Sequence, residues 1–206
     1  MRNLFIVAAA FLLFSCKKNK PTDEIVFIQQ DTIVSDSIIN NLEKEAENTA
    51  QKVTVGTKIE GDFTGSNQPE HAEALKTKVA IGNPAEDGSP AEYTIVFGNK
   101  NLNPISAGCC EIQLVNEGDL NGDGADELSL FQAPANGCTF TMTTYTHKGG
   151  KWTKLFEPFG IPTACEEITQ DDIQKRVFKE DGKVYIYETD VNDENFKLVK
   201  KEVEIE

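Results

Sequence analysis

Cys138-Thr139-Phe140-Thr141-Met142-Thr143 alternates without a break, with apolar or sulfur-bearing side chains at even positions and threonines at odd ones. A period of two belongs to a strand with one face buried and the other wet. The same period returns at Tyr93, Ile95 and Phe97, and again at Val184 and Ile186, which alternate with Tyr185 and Tyr187. Turn-forming pairs lie between these runs: Asp87-Gly88, Gly149-Gly150 and Asp181-Gly182. The pattern predicts strands near 53–60, 72–81, 92–98, 110–116, 127–132, 138–146, 151–156, 174–180, 183–189 and 196–204. The links are too short for helical crossovers, so the pairing is antiparallel and the fold class all-β. Two apolar faces of this kind must pack together or against a third layer.

The densest chemistry lies in Gly118-Asp119-Leu120-Asn121-Gly122-Asp123-Gly124-Ala125-Asp126-Glu127-Leu128. Asp119, Asn121, Asp123 and Glu127 fall at alternate positions, and Ala125 between them offers its carbonyl. A hard divalent cation takes about six to eight oxygens. Three carboxylates, one amide, one carbonyl and water supply them, so these five residues are the candidate metal ligands and calcium the expected, structural ion. Gly124 stands at the sixth position, where a calcium loop turns sharply, but the twelfth is Leu130 rather than the glutamate of an EF-hand. Asp126 is out of phase and expected in solvent. The plainer alternative is a turn whose Asp and Asn side chains accept backbone N–H groups. Such a turn needs one of these residues, whereas 119–127 holds four acids and an asparagine. That crowding is unfavourable unless a cation offsets it.

The loop has the form DxNGDGxxE, closed at its ninth position by Glu127 and followed by the strand-like Leu128-Ser129-Leu130-Phe131. It resembles the FG-GAP/VCBS repeats of β-propellers and bacterial surface proteins. The resemblance spans about eleven residues, and it implies a calcium loop rather than any activity. An internal echo accompanies it. Glu60-Gly61-Asp62-Phe63-Thr64-Gly65-Ser66-Asn67-Gln68-Pro69-Glu70 aligns without gaps on 117–127 at an offset of 57 residues. Glu, Gly, Asp, the next Gly and the final Glu coincide, Phe63 stands opposite Leu120, and Thr64 and Ser66 replace two ligands. Two related loop-strand units, about 60–116 and 117–165, are too few to close a propeller. A blade-like or sandwich arrangement completed by the C-terminal strands is expected.

At the N-terminus, Arg2 precedes an apolar run from Leu4 to Phe14, which is too short to cross a bilayer and suits a secretory signal. Leu13-Phe14-Ser15-Cys16 resembles a bacterial lipobox, which implies a signal peptide over 1–15 and lipidation of Cys16. Residues 16–52 read as anchor and tether, with Ser35-Asp36-Ser37 capping a short helix through Ile38, Ile39, Leu42 and Ala46. Residues 53–206 are expected to form one β-domain. Lys17 follows the cysteine where an aspartate signals inner-membrane retention, so the expected location is the outer membrane in the envelope of a Gram-negative bacterium. Removing 1–15 takes away Arg2 and moves the formal charge from −14 to −15. A surface this acidic lacks the basic patch that nucleic acid requires. The membrane, through the lipid, and an envelope protein or glycan are the expected partners.

Cys109, Cys110, Cys138 and Cys165 remain, and export permits disulfides. A bond between adjacent cysteines strains the backbone, so Cys109 and Cys110 are each expected to pair with Cys138 or Cys165. Zinc is disfavoured because the C-x-x-C spacing is absent. Catalysis has little support. His71 and His147 stand apart from any zincin spacing, His147 reads as a solvated hairpin residue, and no nucleophile elbow or phosphate loop occurs. Tyr145, Trp152, Phe156 and Phe159 form either core or an exposed platform, and Ile161 to Cys165 reads as a disulfide-pinned loop. The leading expectation is a calcium-stabilised structural or recognition domain without enzymatic activity. An envelope hydrolase acting on glycan or peptide, or an inhibitor or immunity-type lipoprotein, stands as the alternative.

Overall fold

The computed structural model describes residues 53–83 and 88–205. The signal peptide, Cys16 and the tether lie outside the described residues, as does Asp87 of the first turn pair. Every strand pairing in the described part is antiparallel, and the strands gather into three sheets.

The central sheet runs in the order β1-β6-β7-β8-β10, with β9 on the free part of the β8 edge. Its members are β1 (Val55–Gly56), β6 (Ile112–Gly118), β7 (Glu127–Gln132), β8 (Thr139–Lys148), β9 (Lys151–Lys154) and β10 (Phe159–Pro162). A first flanking sheet is the meander β2 (Lys58–Gly61), β3 (Glu70–Lys78), β4 (Glu92–Phe97) and β5 (Ile105–Cys109). A second contains β11 (Val177–Glu180), β12 (Lys183–Thr189) and β13 (Leu198–Val203), preceded by the short helix α1 (Gln170–Gln174). Thr169 caps that helix, its hydroxyl accepting the Asp172 N–H at 3.2 Å.

Period-two side-chain alternation places the central sheet between two cores. Leu114, Leu128 and Leu130 point one way and pack with Ile59, Phe63, Ala72 and Ile95 of the first flanking unit. Val115, Phe131 and Met142 point the other way, against Ile173, Val177, Val184 and Ile186. The first five residues of β7 are therefore all buried. A strand covered on both faces reads as a nearly continuous apolar run, as Leu128-Ser129-Leu130-Phe131 does. At roughly 2 kcal/mol for each fully buried large aliphatic or aromatic side chain, these two faces supply most of what holds the layers together.

The all-β antiparallel expectation holds, with differences in detail. The predicted 53–60 strand is broken at Thr57 between β1 and β2, and the predicted 174–180 strand begins only at Val177 because α1 precedes it. The C-terminal strands form a sheet of their own, sharing a core with the central sheet, instead of completing the sheets of the repeated units. Ile161 and Pro162 belong to β10, so the expected loop at 161–165 shortens to its last residues.

The disulfides also depart from expectation. Cys109 bonds to Cys110, and Cys138 to Cys165. The adjacent pair is accommodated because Gly108 (φ +74°) and Cys110 (φ +85°) both take left-handed backbone at the end of β5. Antiparallel pairing of Pro162 with Thr139 brings Cys138 toward Cys165, and the Thr163 N–H donates to the Cys138 carbonyl at 2.9 Å.

Candidate metal centre

The two related segments fold as the same hairpin in facing sheets. β2 leads through 62–69 into β3 beginning at Glu70, and β6 leads through 119–126 into β7 beginning at Glu127. Left-handed backbone recurs at equivalent positions: Gly65 (φ +68°) and Gly122 (φ +85°), then Asn67 (φ +57°) and Gly124 (φ +91°). Asp62 accepts the N–H groups of Ser66 at 2.8 Å and Asn67 at 2.6 Å. Asp119 accepts those of Gly122 at 2.6 Å and Gly124 at 3.0 Å. Phe63 and Leu120 are both buried, one in each core. The closing glutamates match as well. Thr64 donates to Glu70 Oε1 at 2.8 Å, as its counterpart Asn121 donates to Glu127 Oε1 at 2.8 Å.

In the acidic copy, every candidate side chain is turned into the loop. Asn121 Oδ1 accepts the Asp123 N–H at 2.8 Å and Asp123 Oδ1 accepts the Ala125 N–H at 2.9 Å. Glu127 Oε2 accepts from Leu120 N–H at 2.6 Å and Asn121 N–H at 3.2 Å. Ala125 is buried. The side-chain nitrogen of Asn121 stands where oxygens from three elements meet: Asp123 Oδ2 at 3.1 Å, Glu127 Oε1 at 2.8 Å and Thr146 Oγ1 at 3.1 Å. An amide NH₂ has two hydrogens for these three acceptors. Thr146, on β8, carries no loop signature and is invisible to sequence spacing; pairing of β8 with β7 delivers it.

Among the described residues, no three His, Cys, Asp or Glu side chains converge as a ready-made metal-holding group. The donor set nonetheless suits a hard cation. Each carboxylate oxygen retains lone-pair capacity beyond its N–H bond, and Asp123 and Glu127 already face one point together with the Thr146 hydroxyl, where Asn121 ligates once its amide presents oxygen instead of nitrogen. Burial pushes the Glu127 carboxyl up to about 7, against the opposing pull of the Leu120 N–H, the Thr146 hydroxyl and the Asn121 N–H. A cation beside it favours the ionised form and reverses that shift. One positive side chain approaches: Lys179 Nζ donates to the Asp119 carbonyl at 3.2 Å.

Asp126 departs from its expected solvent position. Its Oδ2 accepts from the Asp62 N–H and from Asn116 Nδ2, each at 2.9 Å, and its own N–H donates to the Asp62 carbonyl at 2.8 Å. Asn116 Nδ2 also donates to the Glu60 carbonyl at 2.8 Å, so the two loops are cross-linked through polar groups. Next to the loop, Glu117 sits at an irregularity in the β6–β7 register. Both its carboxyl oxygens are buried without a hydrogen-bond partner, and burial raises it to about 8.

The aromatic residues do not form one exposed platform. Trp152 stacks on Phe97 at 4.9 Å and donates to the Asn103 carbonyl at 3.0 Å, while Phe156 and Phe159 are buried in the opposite core. His147 is not a solvated turn residue: its ring lies 5.1 Å from Trp152, with Nε2 buried and unpartnered. His71 lies 3.5 Å from Glu60 at the surface.

Comparison of the chain with protein-family models, with curated proteins and with solved structures gives no match.

Proposed function

We propose that this chain is a lipid-anchored cell-envelope lipoprotein whose β-domain is stabilised by calcium at the 119–127 loop and serves a structural or recognition role. The observation that carries the reading is the meeting of Asp123, Glu127 and Thr146 oxygens at the Asn121 amide, inside a loop of four acids. Asp119, Asn121, Asp123, the Ala125 carbonyl and Glu127 would hold the ion, with Thr146 beside them. The ion supplies positive charge where carboxylates crowd and fixes a turn that connects two buried strands. Cys16 carries the anchor, an envelope protein or glycan is the partner, and the outer membrane is the location.

Thermal melts in millimolar calcium and in EDTA test the ion. Affinity in the weak range of extracellular modules, roughly 10⁻⁴–10⁻³ M, gives about 1 kcal/mol of linkage. That corresponds to a rise of about 2–4 °C in the wild type and none in Asp123→Ala. Equal midpoints with and without calcium in both proteins would leave only a hydrogen-bonded turn. Mass spectrometry of the protein from its own membrane tests the anchor, through an acylated Cys16 as first residue.

A further inference from the structure

The end of the central sheet opposite the acidic loop carries a second site. An open cavity of about 570 Å³ lies there, within the size range of small-ligand pockets. Its apolar floor is formed by Phe140 backed by the buried Phe131, the two rings stacking face to face at 4.5 Å with only 4° between their planes. Gln113 lines the same cavity and keeps its side-chain Oε1 buried and without a partner. The rim carries three exposed glutamates: Glu111, Glu166 and Glu167.

Both disulfides brace this rim. Glu111 directly follows the bonded pair Cys109–Cys110, and Glu166 directly follows Cys165, which is bonded to Cys138. Gln132 Nε2 fixes the first rim segment by donating to the Ala107 carbonyl at 2.8 Å and to the Cys109 carbonyl. The Glu111 carbonyl accepts the Ala133 N–H at 2.8 Å. Two separate chain segments, each tied down beside its glutamates, hold acidic groups around an aromatic floor.

We propose that this cavity is a binding site for a small amphiphilic cation, an apolar body of about aromatic-ring size carrying one ammonium group. The occupant follows from the lining. The Phe140 ring takes up an apolar body and attracts a cation placed over its free face. Three carboxylates on the rim favour positive over negative charge, in a chain of net charge −14. A buried acceptor without a partner is costly, and a turn of the Gln113 amide toward the cavity lets an ammonium N–H satisfy it. A neutral ligand of the same shape satisfies the floor alone, and an anion is repelled by the rim.

The test is an NMR titration of the full chain with three probes of matched shape: phenethylamine, 2-phenylethanol and 3-phenylpropionate. Phenethylamine is expected to shift the resonances of Gln113, Phe131 and Phe140 and to bind about tenfold more tightly than the alcohol, with the carboxylate weakest. Replacing Glu111→Gln, Glu166→Gln and Glu167→Gln together is expected to erase most of that preference while leaving alcohol binding in place. These exposed positions carry little of the fold, so the variant keeps its native spectrum. Gln113→Met is expected to weaken phenethylamine several-fold more than the alcohol. Raising salt is expected to narrow the gap between amine and alcohol. Equal affinity for all three probes overturns the proposal, as does the absence of shifts at the floor residues or an undiminished preference in the triple-glutamine variant.

Discussion

Asp62 and Asp126 hold each other through two hydrogen bonds: the Asp62 N–H donates to the Asp126 carboxylate at 2.9 Å, and the Asp126 N–H donates to the Asp62 carbonyl at 2.8 Å. Equivalent turns of two similar hairpins are thereby joined, and Asn116 closes the link by donating to both Asp126 and the Glu60 carbonyl.

Asp126→Ala therefore strands the Asp62 N–H and one Asn116 bond in a part-buried setting. A loss of about 1–3 kcal/mol is expected, read as a lower urea midpoint at unchanged slope. Combined with Asn116→Ala, the loss is expected to fall short of the sum of the two single changes, because both remove the same bridge.

The tips of the two loops also touch. A Cβ at Gly65 lies 3.1 Å from the Gly124 carbonyl oxygen, whereas one at Gly149 meets nothing within 4 Å. Both glycines have left-handed backbone, φ +68° and φ +60°. Gly149→Ala carries only the conformational cost, about 1–2 kcal/mol. Gly65→Ala adds a tight contact with that backbone oxygen and is expected to be the more damaging of the two in thermal melts. Equal effects would show that the tips do not bear on one another.

Glu117 sets a pH dependence. Burial raises its folded pKa to about 8 from the ordinary carboxyl value of 4.5. The folded state then holds a proton that the unfolded state releases between these values, so stability falls as pH rises through that window. The expected contribution is on the order of a few kcal/mol, and Glu117→Gln should flatten the decline between pH 5 and 8 in calcium-free buffer. A decline of undiminished slope in the variant would assign it to other groups.

The two disulfides are expected to differ in weight. Cys138 and Cys165 close a loop of 27 residues' separation, and Cys109 and Cys110 one of a single residue. By loop-closure entropy, replacing Cys138→Ser and Cys165→Ser together costs about 3–4 kcal/mol. The corresponding change at Cys109 and Cys110 costs far less in global stability, since a bond between neighbours restricts little of the unfolded chain. Chemical denaturation of the two double variants checks the order.

Alternation at 138–143 and the turn pairs around it were enough to read the all-β class, because one wet face and one dry face write themselves into a period of two. The 57-residue offset was legible for a similar reason: left-handed turns demand Gly or Asn, and these recur at 65 and 122, and at 67 and 124. Features set by distant partners or weak patterning were not legible. Strand β5, Ile105-Ser106-Ala107-Gly108-Cys109, has too few large side chains to show a period. Asp126 reads as solvent-bound because its partners are Asp62, 64 residues away, and Asn116 on the facing strand, 10 residues away. Thr146 joins the candidate site only through strand pairing, and a local motif holds no trace of that.

Glu127 ends the acidic loop and begins β7, the strand covered on both faces. Such a strand is expected to surrender its amide protons last when the molecule breathes, which splices the loop directly onto a segment expected to exchange slowly. Any ligand that clamps Glu127 thus slows exchange far along β7, and a deuterium-labelling map would register its arrival even where no side chain touches it.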